Sequence, residues 1–127
     1  MDSEEMKRRT KLYAIDVAKL TERLTDTQVN RAYKGQIIRS SGSVGANYRA
    51  SRRAKSKADF INKLKIVEEE LDESLFFLEL LVEFNKSFEM EINDLYKEGE
   101  TLLKIIVSSI VSSRQELSYI VHQTSYI

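Results

Sequence analysis

The sequence contains no cysteine, no proline and no tryptophan, and it has four glycines and one histidine in 127 residues. Without cysteine there is no disulfide framework, no thiolate metal site and no thiol nucleophile. Without proline, and with so little glycine, long uninterrupted helices are favoured over turn-rich strands. No apolar run approaches the roughly 18 unbroken residues of a membrane span. The charged start MDSEEMKRRT is not followed by the apolar segment of a signal peptide. These absences point to a cytoplasmic chain with no membrane partner. The length suits a single domain, 1–127, able to bury a core without staples.

Acidic and basic residues number twenty each, so the formal net charge is zero. They are nevertheless segregated. Residues 31–65 carry ten basic side chains against one acidic, Asp59, whereas residues 66–100 carry twelve acidic against two basic. A chain polarised in this way can hold a polyanion with one segment, or pair that segment with its own acidic half.

Apolar spacing predicts four helices, at about 3–24, 26–53, 56–85 and 90–117, followed by a weakly periodic tail, 118–127, that either extends the fourth helix or frays. Met6, Tyr13, Val17, Leu20 and Leu24 form the first stripe, and Tyr33, Ile37, Val44 and Tyr48 the second. The third is the clearest: Phe60, Leu64, Val67, Leu71, Leu75, Leu78 and Val82. Ile92, Leu95, Tyr96, Leu102, Leu103, Ile106, Ile110 and Leu117 make the fourth. Thr25 to Gln28 and Ser56 to Asp59 have the spacing of capped helix starts. Short connections make consecutive helices antiparallel. The expected fold is all-α, an up-down-up-down antiparallel four-helix bundle.

A second apolar strip lies off the core stripe of the third helix. At about 100° per residue, Ile66, Phe77, Leu80 and Phe84 cluster together and Phe76 adds an edge. Large contiguous apolar patches are rare on soluble monomers, so these residues, with Gly42, are candidates for an oligomer interface. The alternative is that Phe76 or Phe77 wedges between neighbouring helices.

The second helix, QIIRSSGSVGANYRASRRA, is unusual in composition. Gln36, Ser40, Ser43 and Asn47 form a polar row beside its core stripe. Gly35 and Gly42 point away from that stripe, with Gly45 nearer one side. Each interior glycine costs on the order of 1 kcal/mol relative to alanine, so outward glycines suggest a close approach by a neighbouring subunit or a nucleic-acid backbone. Arg31, Lys34, Arg39, Arg49, Arg52, Arg53, Lys55 and Lys57 are the candidate nucleic-acid-binding residues, since guanidinium forks suit phosphate. Against this stands a solvated face paired with the Glu-rich third helix. Tyr48, the nearest aromatic, is committed to the core, so base-specific readout is not expected.

Catalytic chemistry finds little to stand on. The lone histidine, His122, has Tyr119 where a Glu-x-x-His pair needs a carboxylate. Glu68, Glu69, Glu70, Asp72 and Glu73 fan around their helix rather than converge. There is no P-loop and no GxSxG elbow. The chain is expected not to be an enzyme, and to need no cofactor or metal.

Gln36, Arg39, Ser40, Ser43, Val44, Ala46 and Asn47, then Ser56, Asp59, Phe60 and Leu64, resemble the signature of four-helix-bundle proteins associated with intervening sequences in bacterial 23S ribosomal RNA genes. KLKIVEEELDESLFFLELL resembles that family's third helix, and the similarity spans roughly Met6 to Leu117. The resemblance implies a homo-oligomer, a pentamer, with an RNA connection and no catalytic residues. A distantly related bundle assists the reverse transcriptases of diversity-generating retroelements by binding RNA and protein. This chain has Ala50 where the family often has an acidic residue, which makes the region more basic. The expectation is a non-catalytic homo-oligomeric bundle that binds RNA or other nucleic acid. The alternative is a scaffold whose partner is another protein.

Overall fold

The computed structural model describes residues 2–124. Four helices, α1 (Ser3–Glu22), α2 (Gln28–Ser51), α3 (Lys57–Phe84) and α4 (Glu89–Thr124), are joined by short links, the last containing a 3-10 turn, Lys86–Phe88. Each helix packs against its neighbours in a ring from α1 through α4 and back to α1, and among the described residues the backbones of neither diagonal pair meet. This is the expected up-down-up-down bundle.

Capping sets the helix starts. Asp2 accepts from the Glu5 N–H at 2.8 Å and Ser56 from the Asp59 N–H at 3.0 Å. The second helix begins later than expected, because Thr27 rather than Thr25 is its cap, accepting from the Asn30 N–H at 3.1 Å. The Thr25 carbonyl is instead taken by Asn30 Nδ2 at 2.9 Å, which holds the intervening residues extended. The fourth helix runs on through Thr124, so the described part of the tail extends it; residues 125–127 lie outside the described residues. At about 1.5 Å per residue, the 36 residues of α4 span about 54 Å and the 28 of α3 about 42 Å.

The expected stripe of α1 is buried throughout, as are Ile37, Val44 and Tyr48 of α2. On α3 the stripe shifts at both ends: Ile61 and Leu81 are buried where Phe60 and Val82 were expected, and those two are only partly covered. The cause is Ser74. Followed through this serine, the seam reads Leu64, Val67, Leu71, Ser74, Leu78, Leu81, a 3–4 alternation that suits near-antiparallel packing. Ser74 tolerates burial because its hydroxyl donates to the Glu70 carbonyl at 2.8 Å and lies 2.8 Å from Ser40 Oγ on α2. Small hydroxyls in other seams behave alike: Thr10 bonds the Met6 carbonyl at 2.8 Å, and Ser51 the Tyr48 carbonyl at 2.6 Å.

Tyr13 is the largest fully buried side chain, and burial pushes its hydroxyl well above the ordinary tyrosine range, so it stays neutral. Its ring reaches α4 at Gly99, where a Cβ would lie 2.8 Å from both Tyr13 Oη and Leu75 Cδ2. Any larger residue there must push one of them aside.

At the end of the bundle where α1 meets α2 and α3 meets α4, Asn30 and Asn85 are buried face to face. Asn30 Nδ2 donates to Asn85 Oδ1 at 3.0 Å, and Asn85 Nδ2 donates to Asn30 Oδ1 at 2.8 Å. Asn85 Nδ2 also donates to the Leu81 carbonyl at 2.8 Å. Truncating one amide leaves its partner buried without its ligand, so Asn30→Ala is expected to destabilise by about 1–3 kcal/mol. The measurement is the shift in urea midpoint at constant m-value.

Candidate nucleic-acid interface

The fold divides the candidate basic residues into separate groups. Arg31 and Lys34 sit on the first turns of α2, and Arg49 lies on its last turn, about 22 Å along the axis from Lys34. Arg31 pairs with Asp26 at 2.6 Å. Arg39, midway, is held by two carboxylates of α3, Glu70 at 3.2 Å and Glu73. Arg49, Arg52, Arg53, Lys55 and Lys57 gather where α2 passes into α3. Of these, Lys57 is paired with Glu116 of α4 at 2.8 Å.

The antiparallel pairing of α1 with α2 brings in residues that no reading of the second helix alone could supply. Lys7 and Lys11 stand across from Arg49, on either side of a groove of about 300 Å³ that is also lined by Thr10, Ala14, Ile15, Gly42, Gly45 and Ala46. No carboxylate lines it. Lys7 also makes an exposed pair with Glu4 at 3.1 Å, which competes weakly with any ligand. The signal for this addition was the run KRRTK at 7–11, legible only once the two helices are placed side by side.

Gly45 faces α1 rather than the outside: a Cβ there would lie 3.3 Å from Thr10 Oγ1. Gly35 and Gly42 do point outward, with nothing within 4 Å of the Cβ that either would carry. Gly42 forms the rim of the groove, so a contact there comes from outside this chain.

At the α2–α3 corner, Phe60 lies one position off the core seam, with Arg52 over its ring at 5.6 Å from the centroid and Lys57 at 5.5 Å. Asp59 beside it is committed elsewhere, accepting from Lys63 Nζ at 2.7 Å and from the Lys55 N–H at 3.0 Å. The Lys63 hydrogen bond, with the Lys55 one, holds the Asp59 carboxyl below its ordinary range.

The candidate interface strip is partly open. Phe76 is 53% exposed, Phe84 57% and Ile66 41%. Phe77 packs against the core, 6.1 Å from Tyr33 and 5.5 Å from Phe76 between ring centroids, and Leu80 is half-buried. Phe77 is thus the wedge between α2 and α3, with Phe76 and Phe84 outside it. Among the described residues, no group of three or more His, Cys, Asp and Glu side chains is arranged to hold a metal ion, and no helix is long and apolar enough to cross a membrane.

The family model described as 23S rRNA-intervening sequence protein matches residues 3–108. The chain belongs to that family. A solved structure of a protein with unknown function from the S23 ribosomal protein family, from Bacteroides thetaiotaomicron, is 31% identical. The alignment covers 83% of this chain and 97% of that one, with a TM-score of 0.76. No curated protein matches the chain. The family match takes in α1, α2 and α3 whole, the helices that build both the groove and the corner.

The two groove glycines should respond differently to a methyl group. Gly42→Ala is expected to raise stability by about 0.5–1 kcal/mol, through helix propensity and a less flexible unfolded chain. Gly45→Ala is expected to gain less, because its methyl presses on Thr10. Thermal melts of the two variants beside the parent make the comparison.

Proposed function

We propose that this family member is a non-catalytic, homo-oligomeric bundle that binds RNA through its basic α1–α2 groove and the adjoining α2–α3 corner. The observation that carries the reading is the groove itself, with Lys7, Lys11 and Arg49 around small side chains and no carboxylate in its lining. Small residues let a sugar-phosphate backbone lie close, and cations at the rim neutralise it. The family's name, which refers to an intervening sequence of 23S rRNA, favours RNA over other polyanions. Contacts of this type position a backbone without reading its sequence.

Self-association is the second part of the proposal. Phe76, Phe84 and Ile66 leave an apolar surface on α3 that a second copy of the chain covers, and the pentamer implied by the family resemblance is the expected assembly. A different reading, a scaffold that binds protein alone, draws support from the ion pairs that already occupy Arg31, Arg39 and Lys57 within the chain.

Replacing Arg49, Arg52 and Arg53 together with alanine is expected to weaken RNA binding. It should also flatten the dependence of log K on log salt, by roughly one unit for each phosphate that is no longer neutralised. Fluorescence anisotropy across a salt series measures both, and circular dichroism should stay helical since all three side chains are exposed. Unchanged binding would move the ligand elsewhere and favour the scaffold.

For assembly, Phe76→Lys with Phe84→Lys is expected to yield a 14.7 kDa particle by light scattering on a size-exclusion peak, where the parent is larger. These two positions are preferable to Phe77, whose ring is part of the core packing.

A further inference from the structure

The corner between α2 and α3 contains a feature that backbone binding does not use. A cavity of about 310 Å³ is lined by Ser51, Arg52, Ala54, Ser56, Lys57 and Phe60. That volume is at the lower end of small-ligand sites. Phe60 packs against the edge of the core, beside the seam residues Ile61 and Leu64, which are buried at 6% and 1% exposure. Its half-buried ring also lies under two cations, within the range at which a cation is attracted to an aromatic face.

The neighbouring carboxylates are already engaged. Asp59 serves Lys63 and the Lys55 N–H, and Glu116 serves Lys57. Among the described residues Arg52 makes no ion pair, and its guanidinium rests on an aromatic face. A ligand suited to this place brings both a flat π-face and a negative charge. Inorganic phosphate has no such face, and a duplex keeps its bases stacked inside.

We propose that this cavity is a nucleotide subsite in which one unpaired base of a single-stranded segment takes the place of the Arg52 guanidinium on the Phe60 ring, while Arg52, displaced from that face, and Lys57, exchanging its pair with Glu116, meet the phosphate. The Ser56 hydroxyl already accepts from the Asp59 N–H, and its own proton is available to the sugar or base. The site thus selects unpaired over paired nucleic acid, and it deepens the reading of the chain as an RNA-binding bundle, on which it rests. Stacking on an aromatic platform tolerates any base, so the selection is for strand state and not for sequence.

The test uses the full chain and three labelled probes: an oligouridylate, the matching oligothymidylate, and an RNA duplex of equal length. Phe60→Leu keeps an apolar side chain at the corner but removes the π-face. Single-strand affinity is expected to fall about tenfold, the scale of one stacked base, with duplex affinity unchanged. Phe60→Trp is expected to match or exceed the parent on single strands, which guards against a folding artefact. A fluorescent adenine analogue placed within the oligouridylate should be quenched by the parent and not by Phe60→Leu. The two single-stranded probes separate RNA from DNA, and preference for either over the duplex supports the subsite. Equal loss on single strands and duplex, or no loss, would overturn it while leaving the basic groove in place. If the parent binds none of the three probes, the RNA reading itself falls, and the subsite with it.

Discussion

Two buried carboxamides hold one end of this bundle, and the alignment of its helices depends on them. Asn30 and Asn85 exchange hydrogen bonds in both directions and each also reaches a backbone carbonyl, Thr25 and Leu81. A leucine pair in their place would be indifferent to sliding along the helix axes. An amide pair is not, because any slip leaves polar groups buried and unmatched. The antiparallel alignment that sets Asn30 against Asn85 also sets Ser40 against Ser74 and Arg39 against Glu70 and Glu73.

From that alignment the rest follows. Small hydroxyls and glycines in the seams let helix axes come close, and large residues fill the layers between them. Tyr13 on α1 is accommodated by Gly99 on α4, and Gly45 on α2 by Thr10 on α1. The α1–α2 seam is narrow at Gly45, and its outer edge opens into the groove whose rim is Lys7, Lys11 and Arg49. The basic surface is thus a consequence of how tightly the two helices approach.

The charge segregation of the chain has two structural outcomes. Where α2 and α3 run side by side, acidic and basic halves meet, and Arg39 is consumed by Glu70 and Glu73. Near the α2–α3 turn the acidic segment of α3 has not yet begun, since Asp59 is the one carboxylate between residues 31 and 65. Lys57 there pairs with Glu116 of α4, Arg52 lies over Phe60, and Arg49 faces Lys7 and Lys11 of α1. Surface ion pairs contribute little to stability in general, so this surplus of charge is tolerable to the fold and available for a ligand.

Helix number, type and approximate ends were legible in the sequence because apolar period and capping residues are local properties. The same local rules misplaced Thr25 as a cap and Val82 as core, since each depended on a side-chain hydrogen bond: Asn30 reaching back to Thr25, and Ser40 meeting Ser74 in the seam. A buried serine or asparagine is invisible to a hydrophobic pattern, because what makes its burial tolerable is a hydrogen bond, to its own helix as at Ser51 or across helices as at Ser40 and Ser74. The basic character of the second helix was equally plain, yet which cations share a surface was not. By itself the sequence determined a helical bundle with a surplus of positive charge in its second quarter. Only the tertiary structure decided that Arg39 is neutralised, that Lys7 and Lys11 join Arg49, and that Phe60 lies beneath Arg52. Those relations join different helices, and they are settled by how the helices are set against one another rather than by periodicity.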